Sequence, residues 1–173
     1  MTFLELATQR YSMRSFSSKK VEKEKIDLLL EAARVAPTAC NYQPQRILVI
    51  QSDEGLEKLK GCTKYHFDAP AAILVCYDEN ESWKRNDFDE KEGGDIDASI
   101  IATQIMLQAA ELGLGTTWVG NFNPAAIREA YHIPAHYHPV CLFPLGYPSE
   151  TAKPSRKHTD RKPIEDTVRY ETF

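Results

Sequence analysis

The sequence predicts a β-sheet with helices on its faces, of the α/β or α+β class. Apolar runs at 46–51, 71–77 and 140–145 read as strands, segments at 22–35 and 95–112 carry helical periodicity, and the two kinds of segment alternate along the chain. No linker and no internal repeat interrupts the 173 residues, so residues 1–173 are expected to form a single domain.

Taken in order, Thr2 to about Gln9 reads as a short helix with Phe3, Leu6 and Ala7 on one face. In the next helix, Glu22 to Val35, Ile26, Leu29, Leu30 and Ala33 recur at helical spacing, and Pro37 marks its end. Arg46 to Gln51 is a strand, followed by a short helix from Asp53 to Lys60 that Gly61 is expected to close. Ala71 to Tyr77 has no polar alternation, which predicts a central strand buried on both faces. Residues 78–94 are polar and read as a solvated excursion anchored by Trp83 and Phe88, with a ligand-covering lid as the alternative. The helix from Asp95 to Leu112 is apolar nearly all the way round, and Gly113 suits the position just past its end. Such a helix must be covered on several sides, which points to a second copy of the chain; a wholly internal helix is the alternative. A short strand follows at Thr116–Val119. Asn123-Pro124 opens a helix to about Tyr131, Val140 to Leu145 is a strand, and a further short element is expected at Ile164–Tyr170.

Composition excludes several classes. Hydrophobic residues make up 42% and charged residues 27%, and 21 basic against 25 acidic side chains leave a formal charge of −4, which argues against a nucleic-acid partner. No apolar run is long enough to span a bilayer. The opening MTFLELATQR has no apolar signal region, so the expected location is cytoplasmic. Cys40, Cys62, Cys76 and Cys141 show no paired or zinc-binding spacing and read as reduced thiols, and no metal site is expected.

The familiar nucleotide, metalloprotease and hydrolase motifs are missing, and no side-chain catalyst is evident. Enzymes that leave the chemistry to an organic cofactor need binding and orienting groups instead. Four stretches offer them. Arg10, Tyr11, Ser12 and Arg14 follow the first helix, and an extended backbone there would place Arg10, Ser12 and Arg14 on one side, where guanidinium forks and a hydroxyl suit phosphate. Basic residues balancing a helix C-terminus are the plainer alternative. The tail carries Lys153, Arg156, Lys157, Arg161 and Lys162, which read as a solvated face unless they pack beside Arg10. Pro37 to Pro44 is a polar loop with Asn41 and Gln43, whose amides suit a heterocycle with alternating donors and acceptors, or are simple turn chemistry. Gly113 to Gly120 is a glycine-rich turn in which Trp118 either stacks on a ring or belongs to the core.

Together, RYSMRSF at 10–16, APTACNYQP at 36–44, AAELGLGTTWVG at 109–120, IPAHYHPVCLFPLGYPSE at 133–150 and DRKPIED at 160–166 resemble the nitroreductase family of FMN-dependent oxidoreductases. The resemblance implies an α+β fold with a mixed central sheet flanked by helices, and an intertwined homodimer with FMN at the subunit interface. It implies that Arg10 and Ser12 contact the FMN phosphate with Arg161 approaching from the tail, that Tyr11 is among the cofactor-binding residues, and that Arg14 lies toward the ribityl or pyrimidine portion. Pro37, Thr38, Ala39 and Asn41 would reach the flavin from the partner subunit, and Trp118, Val119 and Gly120 would run along the ring with backbone N–H groups near N5 or O4. Lys64, Tyr65 and His66 are further candidates for flavin contact. Thr38 stands where the family usually has Ser, and Gln45 replaces an aromatic after Gln-Pro.

The implied reaction is ping-pong. NAD(P)H delivers a hydride to flavin N5 and leaves, and a small acceptor (a nitroaromatic, a quinone or an enone) then takes the electrons. No catalytic side chain is expected. Reductive dehalogenation or flavin cleavage on the same fold, non-catalytic flavin binding, and a dimeric scaffold are the alternatives.

Overall fold

Chain order is α1 (Phe3–Gln9), α2 (Lys23–Arg34), a 3-10 turn (Ala39–Asn41), β1 (Gln45–Ile50), α3 (Asp53–Cys62), β2 (Ala71–Asp78), α4 (Gly94–Glu111), β3 (Gly115–Thr116), α5 (Pro124–Ala130), β4 (Tyr137–Gly146) and α6 (Ile164–Thr167). The computed structural model describes residues 1–173. The class is α+β, with sheet order β1-β2-β4-β3. The four strands pair antiparallel throughout, and the parallel component is a single bridge between Ser12 and Thr116.

β2 is buried along its whole length, as its unbroken apolar run predicts. Its odd positions Ile73 and Val75 face α2 and α4, joining Leu29, Ile101, Ile105 and Phe143. Its even positions Leu74 and Cys76 face α3 and α5, joining Leu59, Ile127 and Leu142. Alternation of side chains across a strand therefore builds two cores on one sheet, and each fully buried Leu, Ile or Phe stabilises the fold by about 1.5–3 kcal/mol. Opposite Val75 and Cys76, β4 skips one residue, so that Cys141 and Pro139 are the partners. The bulge accommodates a proline that lacks an N–H for a regular ladder.

Local chemistry sets the helix ends. Thr2 and Glu5 form a reciprocal capping box on α1, the Ser52 side chain accepts from Gly55 N–H, and the Asn123 side chain accepts from Ala125 and Ala126 N–H. Gly113 takes φ +73° just past α4, as its position predicts. Gly61, in contrast, lies inside α3, which runs to Cys62 and is capped at Thr63. The expected strand at Thr116–Val119 is shorter, with two residues in β3 and then an isolated bridge from Val119 to Leu142. Residues 78–94 form an excursion closed by a bridge between Lys84 and Glu92. Trp83 is half-buried there, but Phe88 is 86% exposed and anchors nothing, because the tight turn pairing Arg85 with Asp89 carries it outward.

Several apolar side chains have no cover within the chain. α1 contains no buried residue although it carries Phe3 and Leu4. α4 is covered by the sheet and α2 on most sides, yet Ile96 is 53% and Ile100 37% exposed.

Candidate functional site

After α1, residues 10–17 run extended beside β3 and β4. Met13 N–H donates to Thr116 O at 2.9 Å, and Ser17 N–H donates to Tyr147 O at 2.9 Å. Met13 points inward and is buried. Arg10, Tyr11, Ser12 and Arg14 line one cleft of about 240 Å³, and the tail closes it with Ser155, Lys157, His158 and Arg161. The two basic stretches that the sequence left apart thus meet in space.

Four of the residues lining this cleft are cationic, none is acidic, and none takes part in an ion pair within the chain. Partial burial pushes the Arg10 guanidinium below its ordinary value, and the nearby charge of Arg161 pushes it the same way. Like charges gathered without a counter-ion in an otherwise acidic chain make a site that a compact anion relieves. Lys153, Arg156 and Lys162 do not line the cleft. His158 does, edge-on to Tyr11 with ring centroids 6.2 Å apart, and neither its spacing nor its neighbours in sequence signalled this.

Arg14 also lines a second cleft of about 200 Å³, together with Tyr65, Phe67, Thr117, Trp118, Val119, Gly120 and Asn121. The two clefts therefore adjoin at one guanidinium. Trp118 is not a core residue: its ring packs edge-on against buried Phe143 with centroids 5.5 Å apart, yet it remains 39% exposed and lines the cleft. A Cβ on Gly120 would meet nothing within 4 Å, so the wall there is open backbone.

Val119 lines the cleft, but its N–H donates to Leu142 O at 2.9 Å and is committed to the sheet. In extended backbone successive N–H groups point to opposite sides. Of these three residues, Trp118 and Gly120 keep N–H groups with no acceptor in the protein. The loop at 63–67 is tied to this wall by the Thr63 hydroxyl, which donates to Asn121 O at 2.7 Å. That tie brings in Tyr65 and also Phe67, which the sequence reading missed; Lys64 and His66 lie outside the cleft. Phe67 takes φ 52°, an uncommon conformation for an aromatic residue.

Pro37, Thr38, Ala39 and Asn41 line neither cleft within one chain. They lie at the start of α4, where Ala39 N–H donates to Asp97 Oδ1 at 2.9 Å. Cys40, Asn41 and Gln43 adopt φ of 50°, 56° and 54°. A non-glycine residue in this region costs on the order of 1–3 kcal/mol, and such strain concentrates at ligand sites. The Gln45 side-chain oxygen beside this loop is buried without a partner. Cys62, Cys76 and Cys141 are buried, and burial pushes their thiols up, Cys76 to about 12, so none is poised as a thiolate nucleophile. No cluster of three or more His, Cys, Asp or Glu side chains is placed to hold a metal ion, and no helix is long and apolar enough to cross a membrane.

Fold and clefts define an α+β protein with a cationic cleft next to a half-aromatic one walled by backbone. The family model described as "Nitroreductase family" matches residues 7–65 and 59–147, and the chain belongs to that family. A curated relative from Methanothermobacter thermautotrophicus, provisionally named an NADH dehydrogenase/NAD(P)H nitroreductase, is 35% identical over 158 residues, which cover 87% of this chain and 79% of the relative. The crystal structure of a nitroreductase family protein from Clostridium difficile 630 superposes with a TM-score of 0.94 at 46% identity, covering 100% of both chains. A Clostridium difficile R20291 protein named as an FMN-dependent nitroreductase superposes with a TM-score of 0.78 at 28% identity, covering 99% of this chain and 100% of that one.

Proposed function

We propose that the chain is an FMN-dependent oxidoreductase that moves reducing equivalents from NAD(P)H to a small acceptor, with FMN held in the two adjoining clefts. The observation that carries this reading is the meeting of Arg10, Ser12 and Arg161 around a pocket without acidic residues, joined through Arg14 to the Trp118–Gly120 wall. The names of the relatives agree with it: an NAD(P)H nitroreductase, an FMN-dependent nitroreductase, and an FMN reductase [NAD(P)H] from Bacillus subtilis.

The residues fit the group. Arg10 and Arg161 offer forked donors to a phosphate dianion and Ser12 a hydroxyl, each charge-assisted hydrogen bond contributing about 1.5–3 kcal/mol. Lys157 and Tyr11 close the same pocket. Arg14, set between the clefts, places positive charge where negative charge accumulates on a reduced ring. Trp118 and Gly120 present free backbone N–H groups along the slot, and the packing of Trp118 on Phe143 holds that wall still. When bound, FMN supplies a ring that accepts a hydride from NAD(P)H at N5 and passes electrons to a nitroaromatic, a quinone or an enone, in two half-reactions with ping-pong kinetics. No side chain is assigned as a general acid, since an open slot admits water as the proton source.

A second copy of the chain completes the site in this reading. Uncovered Ile96 and Ile100 on α4, and the exposed Phe3 and Leu4 of α1, supply an interface, and the loop at Pro37, Thr38, Ala39 and Asn41 reaches the partner's flavin. The purified protein is expected to be yellow and dimeric, and NADPH added anaerobically should bleach it. Colourless protein that takes up no added FMN overturns the reading, and yellow protein that neither NADH nor NADPH bleaches reduces it to flavin binding alone.

A further inference from the structure

Residues 37–43 are exposed or half-buried, and three of them hold left-handed backbone conformations without being glycine. Such a conformation persists only where its surroundings over-determine it. Most of the hydrogen bonds here are internal. Asn41 N–H donates to Thr38 O at 3.0 Å, Tyr42 N–H to Ala39 O at 3.1 Å, and Gln43 N–H to Thr38 Oγ1 at 3.1 Å. These would travel with the loop if it swung. The single hydrogen bond that ties it to the rest of the molecule runs from Ala39 N–H to Asp97 Oδ1 on α4, at 2.9 Å.

Asp97 is 2% exposed, and its second oxygen, Oδ2, is buried with no partner. A buried carboxylate satisfied on one oxygen is a poor stabiliser, because the cost of removing it from water is only partly offset. An apolar side chain of similar volume would serve packing at least as well. What such a side chain lacks is an acceptor aimed at one backbone N–H. The neighbours of Asp97 on the same helix are Ile96 and Ile100, the uncovered side chains of the proposed interface.

We propose that Asp97 is a positioning residue: it sets the shape of the 38–43 loop from the interface helix, so that Thr38, Ala39 and Asn41 are arranged for a flavin held by the partner chain before that flavin arrives. The inference rests on the reading that this loop contacts FMN across a dimer. A loop ordered in advance loses less freedom on binding, and this is where the affinity comes from.

The test compares Asp97→Ala, Asp97→Leu, Asp97→Asn and Arg10→Ala in the full chain by amide hydrogen exchange without FMN and by FMN titration. Asp97→Ala and Asp97→Leu both lack the acceptor, so either one that folds suffices; Asp97→Asn retains a carbonyl oxygen for Ala39. Removal of the acceptor should abolish protection of the Ala39 amide and raise the FMN dissociation constant about tenfold, whereas Asp97→Asn should stay near wild type in both. Unchanged Ala39 exchange, or lost protection with unchanged FMN affinity, overturns the role of Asp97. In that case weak FMN binding by Arg10→Ala leaves the cleft reading standing. A wild-type protein that binds no FMN overturns both.

Discussion

Arg10 and Arg161 come from opposite ends of the chain and face one another across a cleft without a carboxylate between them. Removing both should therefore relieve repulsion in the empty protein while stripping the phosphate of its forked donors. Arg10→Ala combined with Arg161→Ala is expected to weaken FMN binding at least a hundredfold with little change in thermal stability, as read by fluorescence titration and thermal melting. FMN affinity equal to wild type would place the phosphate elsewhere. A different residue reports on pH. Glu22 is held at about 2, first by the Tyr147 hydroxyl that donates to it at 2.7 Å and then by Lys19 at 3.0 Å. A depressed carboxyl stabilises the fold above its ordinary value of 4.5, and this contribution fades as pH falls through about 2. An NMR titration of Glu22 should show the low midpoint, and Tyr147→Phe should move it upward. A midpoint near 4.5 in the wild type would mean that the Tyr147 contact does not persist in solution.

Two glycines separate structural from ligand constraints among the elements. Gly94 opens α4 so close to the Tyr77 ring that a Cβ there would stand inside van der Waals contact, whereas Gly120 faces open space. Gly94→Ala should lower stability by about 1–3 kcal/mol, because a buried aromatic ring between sheet and helix has little room to move. Gly120→Ala should melt like wild type and yet bind FMN more weakly, since its methyl would enter the slot. Equal FMN affinity in Gly120→Ala would show that the ring does not pass that wall. The elements themselves were largely readable from sequence. Helical spacing at Ile26, Leu29, Leu30 and Ala33 gave α2, and the unbroken apolar run gave β2, because both patterns follow directly from backbone periodicity. The exceptions have local causes. Gly61 continues α3 because nothing there demands left-handed backbone, and the expected strand at 116–119 breaks because Trp118 must turn its ring between Phe143 and the cleft.

At the scale of the whole molecule, exposed apolar side chains and strained backbone gather on part of the surface. Phe3 and Leu4 of α1, Ile96 and Ile100 of α4 and the left-handed residues of the 38–43 loop are exposed, while the two clefts are already formed. If the proposed dimer forms through these side chains, Ile96→Glu with Ile100→Glu is expected to yield monomers in analytical ultracentrifugation and to lose FMN at the same time, since like charges brought together at an interface strongly oppose association. A dimer that survives the double substitution would place the interface on another face.

Residue order alone settled the helices, the central strand, their alternation and the family, because periodicity, caps and short motifs are written in neighbouring residues. It also marked Arg10, Ser12, Arg14 and Arg161 as candidates, without a reason for the tail to lie beside the first helix. Three matters were decided only by the fold: which tail residues enter the cleft, which N–H of Trp118, Val119 and Gly120 is spent on Leu142, and the tie between Ala39 and Asp97. Each depends on groups far apart in sequence reaching hydrogen-bonding or Coulombic range, a distance that no local pattern encodes.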